Sequence, residues 1–238
     1  NLNIYKRSGK VSNLEEFALQ NNVEGHAGIG HTRWATHGAP NDVNAHPHFS
    51  NDGTLAIIHN GIIENYDILK KDLTAKGYAF KSETYTEVLV HLIDDIRKNE
   101  NVWFGEALRR ALHHVVGAYA IVVISKDEPN KLVAARKSSP LVVGIGSEGD
   151  FYLASDATPI VEYTKNVVYL EDEEIAIVDL VDGLRIYNIG DQEKTPYVQQ
   201  LELELEALEK GGYEHFMIKE IHEQPRSIQD CFRGRLNA

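Results

Sequence analysis

An α+β fold, with two mostly antiparallel sheets packed face to face and helices outside them, follows from three features of the sequence. Between Tyr66 and Val116, apolar residues recur three and four positions apart. After Ala118 the period changes to short β-branched runs separated by Gly, Pro and Asp, the rhythm of antiparallel strands. No repeat, low-complexity tract or linker divides those runs, so one domain is expected rather than two.

The elements follow in order. Leu2-Asn3-Ile4-Tyr5 reads as a strand already under way, and there is no initiator Met. Ser12-Asn13-Leu14-Glu15 resembles a capping box ahead of a short helix from Leu14 to Gln20. Ala27 to Arg33 reads as a strand entering a loop. The apolar run Leu55 to Ile58 predicts a buried strand ending at His59. Asn60-Gly61 then supplies a turn, with Asn65 capping a helix from Tyr66 to Lys76 that Gly77 ends. Leu69 and Leu73 form its apolar stripe. Val88, Leu89, Leu92, Ile93 and Ile96 predict a helix from Thr86 to Lys98, and Leu108, Leu112 and Val115 a third from Phe104 to Val116. Strands are expected at 118–124, 131–135, 141–145, 151–154, 167–169, 174–178 and 184–188, the last two joined as a hairpin across Asp182-Gly183. The run LELELEALEK from Leu201 alternates like a strand, but its residue types favour helix.

Composition bounds the function. A net charge of −12 argues against nucleic acid or an anionic membrane as partner. No apolar run approaches the ~20 residues of a membrane span, and no signal-peptide core opens the chain. A single cysteine, Cys231, rules out a disulfide framework within the chain and suits a cytoplasmic enzyme.

The chemistry gathers between His31 and Asn65, in HTRWATHG, NAHPH and HNGIIEN. Five histidines, Arg33, Trp34 and Asn60-Gly61 are too many polar groups for a core, where each would need a partner. At the Asn60-Gly61 step, an open glycine N–H beside a side-chain amide offers two convergent donors, the requirement of an oxyanion hole. The alternative is an ordinary turn. Arg33 with Thr36 suits recognition of a carboxylate, unless Arg33 is simply a surface residue. No histidine pair has the spacing of a zinc helix, and His46-Pro47-His48 would point two rings one way without a third ligand, so no metal site is expected.

These segments, with SETYTEV, GAYAIVVI, ARKSSPLVVGIG, SDATPI and HFMIKEIHEQP, resemble the glutaminase domain of the glucosamine-6-phosphate synthases. These are the isomerising glutamine–fructose-6-phosphate aminotransferases, whose glutaminase half is a class II glutamine amidotransferase. The likeness covers nearly the whole chain. It implies a four-layer αββα sandwich of the N-terminal-nucleophile hydrolase type, here lacking its first strand and its N-terminal Cys. It implies a glutaminase domain over residues 1–213 and, over 214–238, a linker toward a sugar-isomerase domain. It further implies L-glutamine as substrate, no cofactor, and a homodimeric full-length protein. By the same resemblance Asn60 and Gly61 form the oxyanion hole. Arg33, Thr36 and His37 hold the glutamine α-carboxylate, and Trp34 moves with the loop. Tyr85 stands where the family has an Asp for the α-ammonium, which weakens the expected grip on glutamine. Another class II amidotransferase, or an inactive glutamine-binding regulatory module, are the competing readings.

Overall fold

The computed structural model describes residues 2–21, 23, 25–35, 37–201 and 210–232. In chain order the elements are α1 (Val11–Leu19), β1 (His48–Phe49), β2 (Leu55–Ile63), α2 (Tyr66–Ala75), α3 (Tyr85–Glu100), α4 (Phe104–Leu112), β3 (Gly117–Ser125), β4 (Lys131–Lys137), β5 (Val142–Ile145), β6 (Phe151–Ala154), β7 (Asn166–Tyr169), β8 (Glu174–Asp179), β9 (Gly183–Asn188), β10 (Glu193–Lys194), β11 (Gln199–Gln200) and α5 (Phe216–Phe232).

Among the described residues the strands form a seven-stranded sheet, ordered β1-β2-β3-β4-β8-β9-β10, and a four-stranded sheet, ordered β11-β7-β5-β6. The pairings between named strands are antiparallel. Alternation sorts the side chains to either face. Leu55, Ile57 and Ile63 of β2, with Ile121 and Val123 of β3, pack under α2, α3 and α4. The intervening residues Ala120, Val122 and Ala134 face the second sheet and meet Val143 and Val168. The second sheet's outer face, Val142 and Val167, is covered by Ala157, Ile160 and Val161. The outermost layer on that side is a turn segment among the described residues. Leu/Glu positions 202–209, expected to be helical, lie outside them.

Helix α3 anchors the helical layer. Every residue from Thr86 to Ile96 is buried. Each large apolar side chain among them contributes roughly 1.5–3 kcal/mol by leaving water. Its start is held by Glu87, whose carboxylate accepts from the Lys81 N–H at 2.9 Å, the Ser82 N–H at 2.6 Å and the Ser82 hydroxyl at 2.7 Å. Burial pushes this carboxyl up, but the His91 imidazole 3.7 Å away and the bonds from Lys81 and Ser82 outweigh it and leave the pKa at about 2.

Several expectations are corrected. Residues 27–33 are irregular, because Gly28 and Gly30 weaken a strand and neither sheet pairs with them; residues 2–5 are irregular too. Helix α1 starts at Val11, after an extended Lys10 that makes no side-chain cap bond, so Ser12 sits inside the first turn and the capping box is not formed. Strand β2 does not stop at His59. It pairs with β3 residue by residue through Asn60↔Ala120, Gly61↔Tyr119 and on to Ile63↔Gly117, so Asn60-Gly61 is strand rather than turn. Asn65 precedes α2 without capping it through its side chain. Its amide instead accepts from the Val116 N–H at 3.0 Å and donates to the His114 carbonyl at 2.8 Å, bracing α2 to the segment between α4 and β3. Helix α4 ends at Leu112, short of Val116, and His113 to Val116 lead directly into β3. The hairpin between β8 and β9 forms, but Gly183 already pairs with Asp179 as the first residue of β9, so the turn is residues 180–182 rather than Asp182-Gly183. The segment from residue 214 holds α5, and none of its described residues joins the three buried apolar clusters.

Two glycines let β2 and β3 approach. Gly61 has φ +125, and a Cβ there would lie 2.1 Å from the Ala118 carbonyl oxygen. Gly117 has φ +130, and its Cβ would lie 2.1 Å from the Ile62 oxygen. Gly77 also has a left-handed φ, +95, but open space around it. Gly77→Ala is therefore expected to cost about 1 kcal/mol of strain alone. Gly117→Ala should cost on the order of 3 kcal/mol or more, because strain and a backbone clash add. Urea unfolding midpoints of the two variants check this ordering.

Candidate active site

A cavity of about 190 Å³ opens where β2, the start of α3 and the 31–38 loop converge. Its walls include Arg33, Trp34, His37, Asn60, Gly61 and Tyr85. The site residues named from sequence therefore converge on one place, save Thr36, which lies outside the described residues.

Strand parity places the donors. Thr54 O accepts from Lys126 N–H and Glu64 N–H donates to Val116 O, so even-numbered backbone groups of β2 face β3. Leu55 O accepts from Ser50 N–H on the opposite side, so odd-numbered groups face the outer edge. The Gly61 N–H belongs to that outer edge, beyond β1, which covers only Ala56 and Ile57.

The Asn60 side chain is oriented by an imidazole. The Arg33 backbone N–H donates to His31 Nδ1 at 2.8 Å, and His31 Nε2 lies 2.8 Å from Asn60 Oδ1. With Nδ1 accepting, the neutral ring carries its proton on Nε2 and donates it to Asn60 Oδ1. The amide nitrogen of Asn60 is then the group left to meet a ligand.

Arg33 shapes the loop itself. Its backbone is left-handed, with φ +48. Its guanidinium donates to the carbonyls of Ala39 at 2.9 Å, His37 at 2.7 Å and Gly38 at 3.0 Å. Carboxylate capture would use the fork's remaining N–H groups. The loop is braced again by Glu83, which accepts from the Ala39 N–H at 3.0 Å and from Asn44 Nδ2 at 2.8 Å. These bonds, led by the one from Ala39, hold the Glu83 carboxyl below its ordinary pKa. Trp34 is 90% exposed at the rim. Tyr85 packs with His37 (centroids 5.9 Å apart), Tyr66 (6.0 Å) and His59 (5.8 Å).

Of the remaining histidines at the site, His48 and His59 are buried and His31 and His46 half-buried. His31 stacks on His46 at 4.2 Å, and His46 meets His48 edge-on at 5.1 Å, so the two rings of the His-Pro-His step do not align as on a strand. His48 Nε2 bonds Thr84 Oγ1 at 3.0 Å, and His59 Nδ1 bonds Thr86 Oγ1 at 3.2 Å. Burial first, then neighbouring imidazoles, holds His46 far below the usual range. Burial and the Lys6 charge bring His48 down to about 3. Burial brings His59 down to about 4, against the Ala118 carbonyl. His31 is lowered too, by burial first. Among the described residues no group of three or more His, Cys, Asp or Glu is placed to hold a metal ion.

Sequence reasoning marked the histidines as a site but missed what they do. His31 positions Asn60, while Thr84 and Thr86 secure His48 and His59 to the start of α3. The Asn44–Glu83 brace was also missed. Its signal was the Asn of NAHPH, a polar residue that ends 1% exposed.

Residues 31–162 match the family model described as a glutamine amidotransferase domain. The chain belongs to the glutamine amidotransferase family. A glutamine–fructose-6-phosphate aminotransferase (isomerizing) from Bacteroides thetaiotaomicron is 58% identical over 236 residues, covering 99% of this chain and 38% of its own length. The Chlorobaculum tepidum enzyme of that name is 53% identical over 242 residues, covering 99% of this chain and 39% of its own length. The chain thus spans under two-fifths of these two curated relatives. Among solved structures, the glutamine phosphoribosylpyrophosphate amidotransferase from B. subtilis aligns with a TM-score of 0.54 and 26% identity, over 67% of this chain and 34% of that one. Among the described residues no helix is long and apolar enough to cross a membrane.

Buried neutral histidines make stability depend on pH. A folded pKa of about 4 for His59 lies below the unfolded value of 6.5, so the folded state binds fewer protons. Stability from this group is intact above pH 6.5 and is lost as pH falls from 6.5 through 4, on the order of 3 kcal/mol in all. Glu87 adds a second loss in the same direction between pH 4.5 and 2. His59→Gln should lessen the loss between pH 6.5 and 4 without removing it, since His48 and His46 titrate from the same starting point, and should leave the Glu87 window unchanged, read as denaturant midpoints across pH 7 to 3.

Proposed function

We propose that this domain binds L-glutamine and releases its amide nitrogen as ammonia for a sugar-phosphate aminotransferase. The observation that carries the reading is the pairing of an oriented Asn60 amide with a free-edge Gly61 N–H in one cavity. Two such donors stabilise the oxyanion formed when a nucleophile adds to the glutamine side-chain carbonyl. The remaining donors of Arg33 take the α-carboxylate, with Thr36 and His37 beside it, and Trp34 closes over the rim. The nucleophile comes from outside these 238 residues. Their single cysteine, Cys231, is exposed on α5 and is not part of the cavity wall.

In the complete polypeptide, residues 1–213 serve as the glutaminase and the 214–238 segment leads to a sugar-isomerase domain that consumes the ammonia. The whole acts as a cytoplasmic homodimer. The aminotransferase assignment is favoured over another class II amidotransferase, such as the phosphoribosylpyrophosphate enzyme, by 58% against 26% identity.

Tyr85 sets the selectivity of this pocket. Among the described residues the cavity wall holds no Asp or Glu, so the glutamine ammonium meets the Tyr85 ring instead of a carboxylate. Two outcomes are expected in the full-length protein. Asn60→Ala should lower kcat for glutamine hydrolysis about a hundredfold with KM little changed, because an oxyanion donor acts on the transition state. A raised KM at constant kcat would make Asn60 a ground-state contact. Tyr85→Asp should lower KM for glutamine about tenfold, by adding a charge-assisted partner, and should sharpen rejection of an analogue lacking the α-amino group. Equal KM values in both proteins would show that another residue holds the ammonium.

A further inference from the structure

We propose that His31 is a positioning residue that couples the substrate-binding loop to the oxyanion hole by fixing which end of the Asn60 amide faces the substrate. The proposal rests on the oxyanion reading of Asn60 and deepens it.

Three groups form one directed chain. The Arg33 N–H donates into His31 Nδ1 at 2.8 Å, and His31 Nε2–H donates to Asn60 Oδ1 at 2.8 Å. An amide side chain can present either its oxygen or its NH2 group, and rotation by half a turn exchanges them. Only the NH2 end stabilises an oxyanion; the oxygen end would repel it. A histidine with its proton on Nε2 admits one orientation of Asn60, and the Arg33 N–H admits one tautomer of His31. The imidazole cannot turn freely to undo this, since it stacks on His46 at 4.2 Å.

The chain starts at a residue whose backbone and side chain serve different ends. The left-handed φ of +48 at Arg33 belongs to the turn in which its N–H reaches back to His31. The guanidinium meanwhile holds the 37–39 carbonyls. A ligand carboxylate that draws on Arg33 therefore acts on the residue that sets the His31 tautomer. Carboxylate capture at Arg33 and readiness of the oxyanion donor are thereby linked through His31.

The test is a double-mutant cycle on glutamine hydrolysis by the full-length protein, with kcat and KM read separately. His31→Ala should lower kcat at least tenfold with KM changed less than threefold. The double variant His31→Ala/Asn60→Ala should be no slower than Asn60→Ala alone, because both remove one function. Conservative variants separate positioning from bulk. In His31→Gln the side-chain NH2 lies near the position of Nε2 and can still donate to Asn60 Oδ1, so it should recover most of the lost kcat. His31→Asn, which mimics Nδ1 alone, should not. Effects that multiply in the double variant, or equal kcat for His31→Gln and His31→Asn, overturn the coupling while leaving Asn60 as an oxyanion donor. An unchanged kcat in Asn60→Ala overturns the oxyanion reading, and the coupling falls with it.

Discussion

The contact on which the site depends is main chain against main chain. At Gly61–Ala118 and Gly117–Ile62 the backbones of β2 and β3 come close enough to exclude any Cβ. That approach keeps β2 paired along nine residues and carries Asn60-Gly61 out as part of a rigid strand. A donor pair on a strand is held by a ladder of hydrogen bonds, whereas a free turn would need to be ordered when substrate binds. Helix α3 then presses from the other face, bringing Thr84, Tyr85 and Thr86 to the same cavity.

Electrostatics follow from burial. The imidazoles behind the cavity are kept neutral by desolvation and by one another, so they serve as hydrogen-bonding struts rather than charges. A neutral wall leaves Arg33 as the dominant nearby cation. Its field is shared between the loop carbonyls and whatever anion enters.

Much of this was legible in the sequence. The helical stripes gave α2, α3 and α4, and the change of period gave the sheets, because both patterns report burial directly. The site stretch stood out because His, Arg, Trp and Asn-Gly cannot share a core without a reason. What stayed hidden depended on partners distant in sequence. Nothing local says that Asn60-Gly61 continues a strand; the deciding contacts are with Ala118 and Tyr119, nearly sixty residues away. Asn65 has the residue type of a helix cap, yet Val116 and His114 claim its amide. The loop at 27–33 has strand-like residues, but among the described residues no strand pairs with it. The Glu83–Asn44 brace joins two segments that each look like ordinary polar loop.

The parity of β2 carries a consequence for how such a domain can vary over time. Odd positions hold His59 against α3 and turn the Gly61 N–H outward, while even positions show Asn60 to His31. Replacing one apolar residue of this strand by another disturbs packing alone. Adding or deleting a single residue between Leu55 and Gly61 would exchange the two faces, sending the amide into the helical layer and turning the imidazole away from Thr86. Lineages carrying this site are thus free to drift in spelling along the strand, but not in its count.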